Sequence, residues 1–210
     1  MADATVSALV NIVGQILANP AKVNVTNYAS ELKGGWEIWI QVEMACALAD
    51  NNVVAYREEH VYRNNTNLKT DVKVLVPGTN ECISVELKVQ SKGQTDFIKV
   101  IFNTDTPKLL HGFNGDIVKA CGMIVLTILT TIAEFNKLLM DGPNRFQRFP
   151  TQVGTTLVAN DVNTTNAVYW WALDVDTTSG KPIVKSDSPE VFVEWVDVQP
   201  ELFIDRRNTH

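Results

Sequence analysis

Residues 69–90 read KTDVKVLVPGTNECISVELKVQ, two apolar runs with charged groups set into them at regular intervals. The second run alternates strictly: Ile83, Val85, Leu87 and Val89 take one face of a strand, and Ser84, Glu86, Lys88 and Gln90 take the other. The first run alternates as well, with Val72, Val74 and Val76 on one side and Asp71 at its opening. Between them Pro77-Gly78-Thr79-Asn80 carries turn chemistry, so the two runs are expected to form an antiparallel hairpin. That hairpin brings Asp71 level with the later part of the second strand, within reach of Glu86. Two carboxylates held together repel, and the usual remedies are a shared proton or a divalent cation. Lys88 faces the same way as Glu86. It cannot ligate a metal as a cation, but it can orient a metal-bound water and stabilise developing negative charge.

Upstream, a helix from roughly Ser30 to Asp50 is apolar almost all round and is expected to be central and buried. Glu43 falls on the line Trp36, Ile40, Glu43, Ala47, so its carboxylate is expected to point where apolar side chains point and to need a cation, a proton or several donors. Glu37 is a second candidate for that position, and a salt bridge to an internal Arg or Lys is the alternative role for Glu43. Val53 to Tyr62 reads as a strand that carries His60.

Asp71, fourteen intervening residues and then Glu86-Leu87-Lys88 resemble the PD-(D/E)xK core of restriction-endonuclease-like nucleases, with Thr70 where the motif's name places Pro. The resemblance covers about residues 28–141. It implies an α/β restriction-endonuclease-like core in the order helix, three-stranded meander, helix, strand. It also implies Mg²⁺ or Mn²⁺ held by Asp71, Glu86 and the Leu87 carbonyl, with Lys88 positioning the attacking water. Glu43, in the Gln41-Val42-Glu43 segment, would complete the metal site. Gln90 stands where many members of the family carry a polar residue near the nucleic acid.

Around this core the chain adds two pieces. Residues 5–18 place Val6, Leu9, Val10, Val13, Ile16 and Leu17 at helical spacing, which predicts an amphipathic N-terminal helix. Residues 150–200 alternate like strands in three runs and are expected to extend or flank the main sheet. Downstream of the hairpin, a helix is expected around Asp96 to Phe102, helical structure from Asp116, a buried strand over Gly122 to Thr130, and a short helix over Thr131 to Met140. Lys69, Arg145 and Arg148 are candidate phosphate contacts, the last two interleaved with Phe146. Lys92, Lys99 and Lys108 give the segment after the hairpin a basic side. Of Trp170-Trp171, one indole on each face of a strand, at most one is expected to be buried if the sheet is covered on one side only.

A chain of 210 residues with 45% hydrophobic and 20% charged residues is expected to be one globular domain with a full core. No basic-headed leader and no apolar run near 18 residues is visible, so an intracellular, cytoplasmic protein without a membrane span is expected. The three cysteines have no ligand spacing, which argues against a Cys-held zinc. A net charge of −6 opposes tight general binding to polyanions, which depends on Lys and Arg releasing counterions. The expected function is therefore a metal-dependent nuclease acting on DNA or RNA, with a protein partner to supply targeting and a homodimer as one arrangement. The alternative is an idle nuclease-fold protein that serves as a binding, effector or assembly module.

Overall fold

A computed structural model describes residues 2–19, 21, 36–63, 65, 67–91, 94, 97–101, 108, 112–140, 152–161, 164–183 and 191–195. Helix α1 (Ala2–Ala18) buries the whole predicted stripe, Val6, Leu9, Val10, Val13, Ile16 and Leu17. Each such side chain stabilises the fold by roughly 1.5–3 kcal/mol. Helix α2 (Trp36–Asp50) follows, burying Trp36, Ile40, Gln41, Met44 and Leu48. Next come strands β1 (Ala55–Glu59), β2 (Thr70–Leu75) and β3 (Cys82–Val89), a single turn α3 (Phe97–Val100), strand β4 (Ile117–Leu126) and helix α4 (Leu129–Met140). Strands β5 (Gln152–Asp161), β6 (Thr164–Asp176), β7 (Lys181–Ile183) and β8 (Val191–Trp195) complete the order.

The described strands form one mixed sheet in the order β1-β2-β3-β4-β6-β5-β8, with β7 paired to β6. β1, β2 and β3 are antiparallel neighbours, whereas β4 runs parallel to β3. A parallel neighbour needs a crossover, and the chain between Gln90 and Ile117 makes it. The chain is thus mixed α/β. The C-terminal strands extend the main sheet, as expected, because β6 pairs with β4 along eight residues, Lys119↔Asp174 to Leu126↔Ala167.

Both faces of the sheet are covered. α1 and α2 lie over Val72, Val74, Ile83, Val85, Leu87, Val89, Cys121, Met123 and Val125. The opposite face packs Phe97, Ile101, Phe113, Ile132 and Phe135 over Ala120, Ile124, Tyr169, Trp171 and Leu173. The tryptophan pair follows the two faces: Trp171 is buried in this second core, and Trp170 packs partly buried against the first. A correction concerns the helix expected from Asp116: residues 117–121 are the start of strand β4. Asp116 accepts the Cys82 N–H through its backbone carbonyl (2.7 Å) and pairs with Lys73 through its carboxylate, joining the turn end of the hairpin to the start of β4.

Gly122 occupies a position where its lack of a side chain is required. A Cβ there would run into the indole ring of Trp171, which is 4% exposed and has nowhere to go. Gly122→Ala is expected to destabilise the protein by roughly 1–3 kcal/mol. A thermal melt should register this as a Tm lower by about 5 °C.

Candidate active site

The hairpin register is Val72↔Val85, Lys73↔Ser84, Val74↔Ile83 and Leu75↔Cys82, closed by a turn in which Gly78 takes φ +78°. One step beyond Val72↔Val85 the ladder changes character. Asp71 Oδ2 accepts the Leu87 N–H at 2.7 Å, so a carboxylate takes the place of a backbone acceptor. Glu58, opposite this point on β1, adopts φ +58°, a left-handed conformation that costs a non-glycine residue roughly 1–2 kcal/mol. Strain of this kind persists only where surrounding structure imposes it. Glu58→Gly is expected to stabilise the protein by about 1 kcal/mol in urea unfolding, by releasing the strain and removing a charge that acts on Asp71.

Glu86, directly next to Leu87, is only 5% exposed. Its Oε1 accepts the Tyr62 hydroxyl at 2.6 Å, and its Oε2 accepts Lys108 Nζ at 2.9 Å. Burial, with the Asp71 charge second, pushes its carboxyl up to about 7. Burial also raises the Asp71 carboxyl; the Leu87 N–H, Lys108 and Lys88 oppose the rise, and Glu58 adds to it. Tyr62 is fixed by a bridge to Phe113, with ring centroids 5.2 Å apart, and burial beside Glu86 raises its phenol far above the usual range.

Lys88 pairs with Glu37 at 3.4 Å, and Glu37 also accepts the Val89 N–H at 3.4 Å. Burial raises the Glu37 carboxyl; Lys88 opposes this and the Asp71 charge reinforces it. The start of α2 is anchored there because Trp36 Nε1 donates to the Gln90 carbonyl at 3.0 Å.

Of the residues expected at the site, Asp71, Glu86, Leu87 and Lys88 are brought together. The N–H and C=O of a strand residue point to the same side, so the Leu87 carbonyl also faces β2. Glu43 is corrected. It follows Glu37 by six residues, about 9 Å along the helix and about 120° round it, so the two cannot serve one position. Glu37 is the one that meets Lys88, and Glu43 is half-buried further along the helix. Its neighbour Gln41 is turned to Arg57, whose Nη2 donates to Oε1 at 2.8 Å.

Gln90 is corrected as well. It is fully buried, donates through Nε2 to Thr131 Oγ1 (2.9 Å) and accepts the Thr127 and Ile128 N–H groups (3.2 and 3.3 Å). It is a strut between β3 and the start of α4, and it is out of reach of a polymer in solvent. Lys69 is exposed at the entrance to β2, and His60 is exposed. Arg145 and Arg148 lie outside the described residues. Tyr62 and Lys108, the two partners of Glu86, were not identified from sequence as such, because each reaches Glu86 from more than 20 positions away.

Among the described residues no three His, Cys, Asp or Glu side chains converge as a metal-holding group. The pair Asp71 and Glu86 nonetheless fits a hard divalent cation of the Mg²⁺ type. Such ions keep several waters and are typically held by one or two carboxylates together with substrate phosphate oxygens. Desolvation raises both carboxyls and the Asp71 charge raises Glu86 further, conditions that a bound cation relieves. No family model, no curated protein and no solved structure matches the chain. Among the described residues no helix is long and apolar enough to cross a membrane.

Proposed function

We propose that the chain is a metal-dependent nuclease of the PD-(D/E)xK type. The observation that carries this reading is the placing of Asp71 and Glu86 at the open end of one hairpin, next to a Lys88 held by Glu37, where burial works against each of these carboxylates. The element order supports it: α2, three antiparallel strands, α3, then β4 parallel to β3 is the order expected of such a core.

In this reading Asp71 and Glu86, with the Leu87 carbonyl, hold Mg²⁺ or Mn²⁺. The ion supplies charge neutralisation at the phosphate and a water of lowered pKa. Lys88 orients the attacking water and stabilises negative charge as it develops on the phosphorane. Glu37 keeps the Lys88 ammonium in place. Tyr62 fixes the rotamer of Glu86 by donating to Oε1. The net charge of −6 fits a substrate, DNA or RNA, delivered with the help of a protein partner, and a homodimer is one arrangement compatible with cutting two strands. The test is Mg²⁺- and Mn²⁺-dependent cleavage of single- and double-stranded DNA and RNA by the native protein, Lys88→Ala and Glu86→Ala. Cleavage that survives in both variants would sink the reading.

A second reading, an idle nuclease-fold module acting in binding or assembly, is favoured by one observation. Both Glu86 oxygens already have partners, Tyr62 and Lys108, as a structural buried carboxylate requires. Calorimetry separates the two readings, since the idle module takes up no Mn²⁺ through Glu86.

A further inference from the structure

Glu86 is buried, and Lys108 Nζ supplies its carboxylate with a positive charge at 2.9 Å from Oε2. Lys108 comes from beyond α3, outside the hairpin that carries Asp71, Glu86 and Lys88, and its side chain is 24% exposed. An ammonium has three donors and no acceptor, so it cannot share a metal's ligand sphere. Within about 4 Å of a divalent ion in a partly desolvated site the two cations would repel by several kcal/mol. A metal on this carboxylate oxygen and the Lys108 ammonium would therefore exclude each other. Asp71 feels Lys108 as well, so both carboxylates of the pair are served by the same ammonium.

We propose that Lys108 is a built-in competitor for the cation position on Asp71 and Glu86, and that its displaced ammonium becomes a binding group for the substrate's phosphodiester. The inference rests on the nuclease reading above. Lys108 ends a flexible four-carbon stem with an open side, so the exchange requires only rotamer changes. Tyr62 stays on Oε1 whichever cation is present. Metal and substrate then bind cooperatively: an anion that draws Lys108 from Glu86 raises cation affinity by the same factor by which the cation raises anion affinity. The device keeps Glu86 neutralised until both reactants arrive.

The test is titration calorimetry of Mn²⁺ into the full chain at pH 8, with and without dimethyl phosphate, a diester that the enzyme need not cleave. Lys108→Met is expected to bind Mn²⁺ roughly ten- to a hundredfold more tightly than the native protein, having lost the competing charge. Lys108→Arg should behave like the native protein. Dimethyl phosphate should tighten Mn²⁺ binding in the native protein and in Lys108→Arg, and have no such effect in Lys108→Met. If Lys108→Met fails to melt cooperatively, Lys108→Gln, which keeps a donor toward Oε2, takes its place. Equal or weaker Mn²⁺ binding in these uncharged variants overturns the competitor while leaving the nuclease reading in force. Absence, in every variant, of any Mn²⁺ binding that Glu86→Gln abolishes overturns both.

Discussion

Lys88→Ala is expected to lower metal-dependent cleavage by roughly 10²- to 10³-fold while changing stability by only about 1 kcal/mol. The size follows from the role: a positive group placed where charge develops acts mainly on the transition state, so its loss should appear in kcat far more than in KM. The small stability effect follows from geometry, since the Lys88–Glu37 pair is a quarter exposed on each side and its distance is 3.4 Å. Glu37→Gln removes the partner that holds Lys88 and should cost roughly tenfold or more in kcat. Glu43→Gln should leave cleavage unchanged. That contrast between two carboxylates on one helix is a sharper test than either variant alone. Steady-state kinetics with Mn²⁺ on whichever substrate the native protein cuts provides the measurement, and equal losses for Glu37→Gln and Glu43→Gln would remove Glu37 from the site.

The metal-free protein is expected to lose about 3 kcal/mol of stability as the pH rises from below 5 to about 8, a trend opposite to ordinary acid denaturation. The sign follows from Glu86. Its carboxyl is raised from 4.5 to about 7 in the folded state, so between those values the folded chain binds the proton that the unfolded chain has released. Stability is therefore fully present below about 4.5, declines through the interval and levels off above 7. A difference of about 2.5 pH units corresponds to about 3 kcal/mol. Asp71 and Glu37, also raised by burial, act in the same direction. Asp176, the exposed last residue of β6 and lowered by Ser179 and Thr178, acts only in strong acid and in the opposite sense. Thermal melts in EDTA should show a Tm lower by about 6–12 °C at pH 8 than at pH 5. Glu86→Gln should remove most of that slope, and a melt that is flat with pH in the native protein would contradict the site's desolvation. Excess Mn²⁺ should restore much of the loss at pH 8.

How much of this was legible in the sequence depended on whether local periodicity decides the question. The two-residue alternation of 69–90 is unambiguous, so the hairpin and the facing of Glu86 and Lys88 followed from it, as did the stripe of α1 from its 3.6-residue spacing. Helix α2 shows why Glu43 was preferred over Glu37. A helix apolar nearly all round has no stripe to give its rotational phase, and the phase is set by Trp36 donating to Gln90, a partner 54 residues away. The start of β4 was misread for a related reason. Lys119 looks like a solvated helix residue, but it is buried and paired with Asp174 of β6 at 3.1 Å. Tyr62 and Lys108 left no local signal of their link to Glu86, since nothing near either residue says which carboxylate it will meet.

The conformation of Glu58 has a further consequence, because β1 is an outer strand of the sheet among the described residues. An open strand edge offers unpaired N–H and C=O groups to any other extended chain, and proteins guard such edges with charge and local distortion. Arg57, Glu58 and Glu59 supply the charge, and the left-handed backbone at Glu58 breaks the flat run on which a neighbour would zip. The residue that strains the rim of the site therefore also discourages sheet-to-sheet aggregation. A more stable Glu58→Gly chain, relaxed and stripped of one charge, should be the one that self-associates at lower concentration.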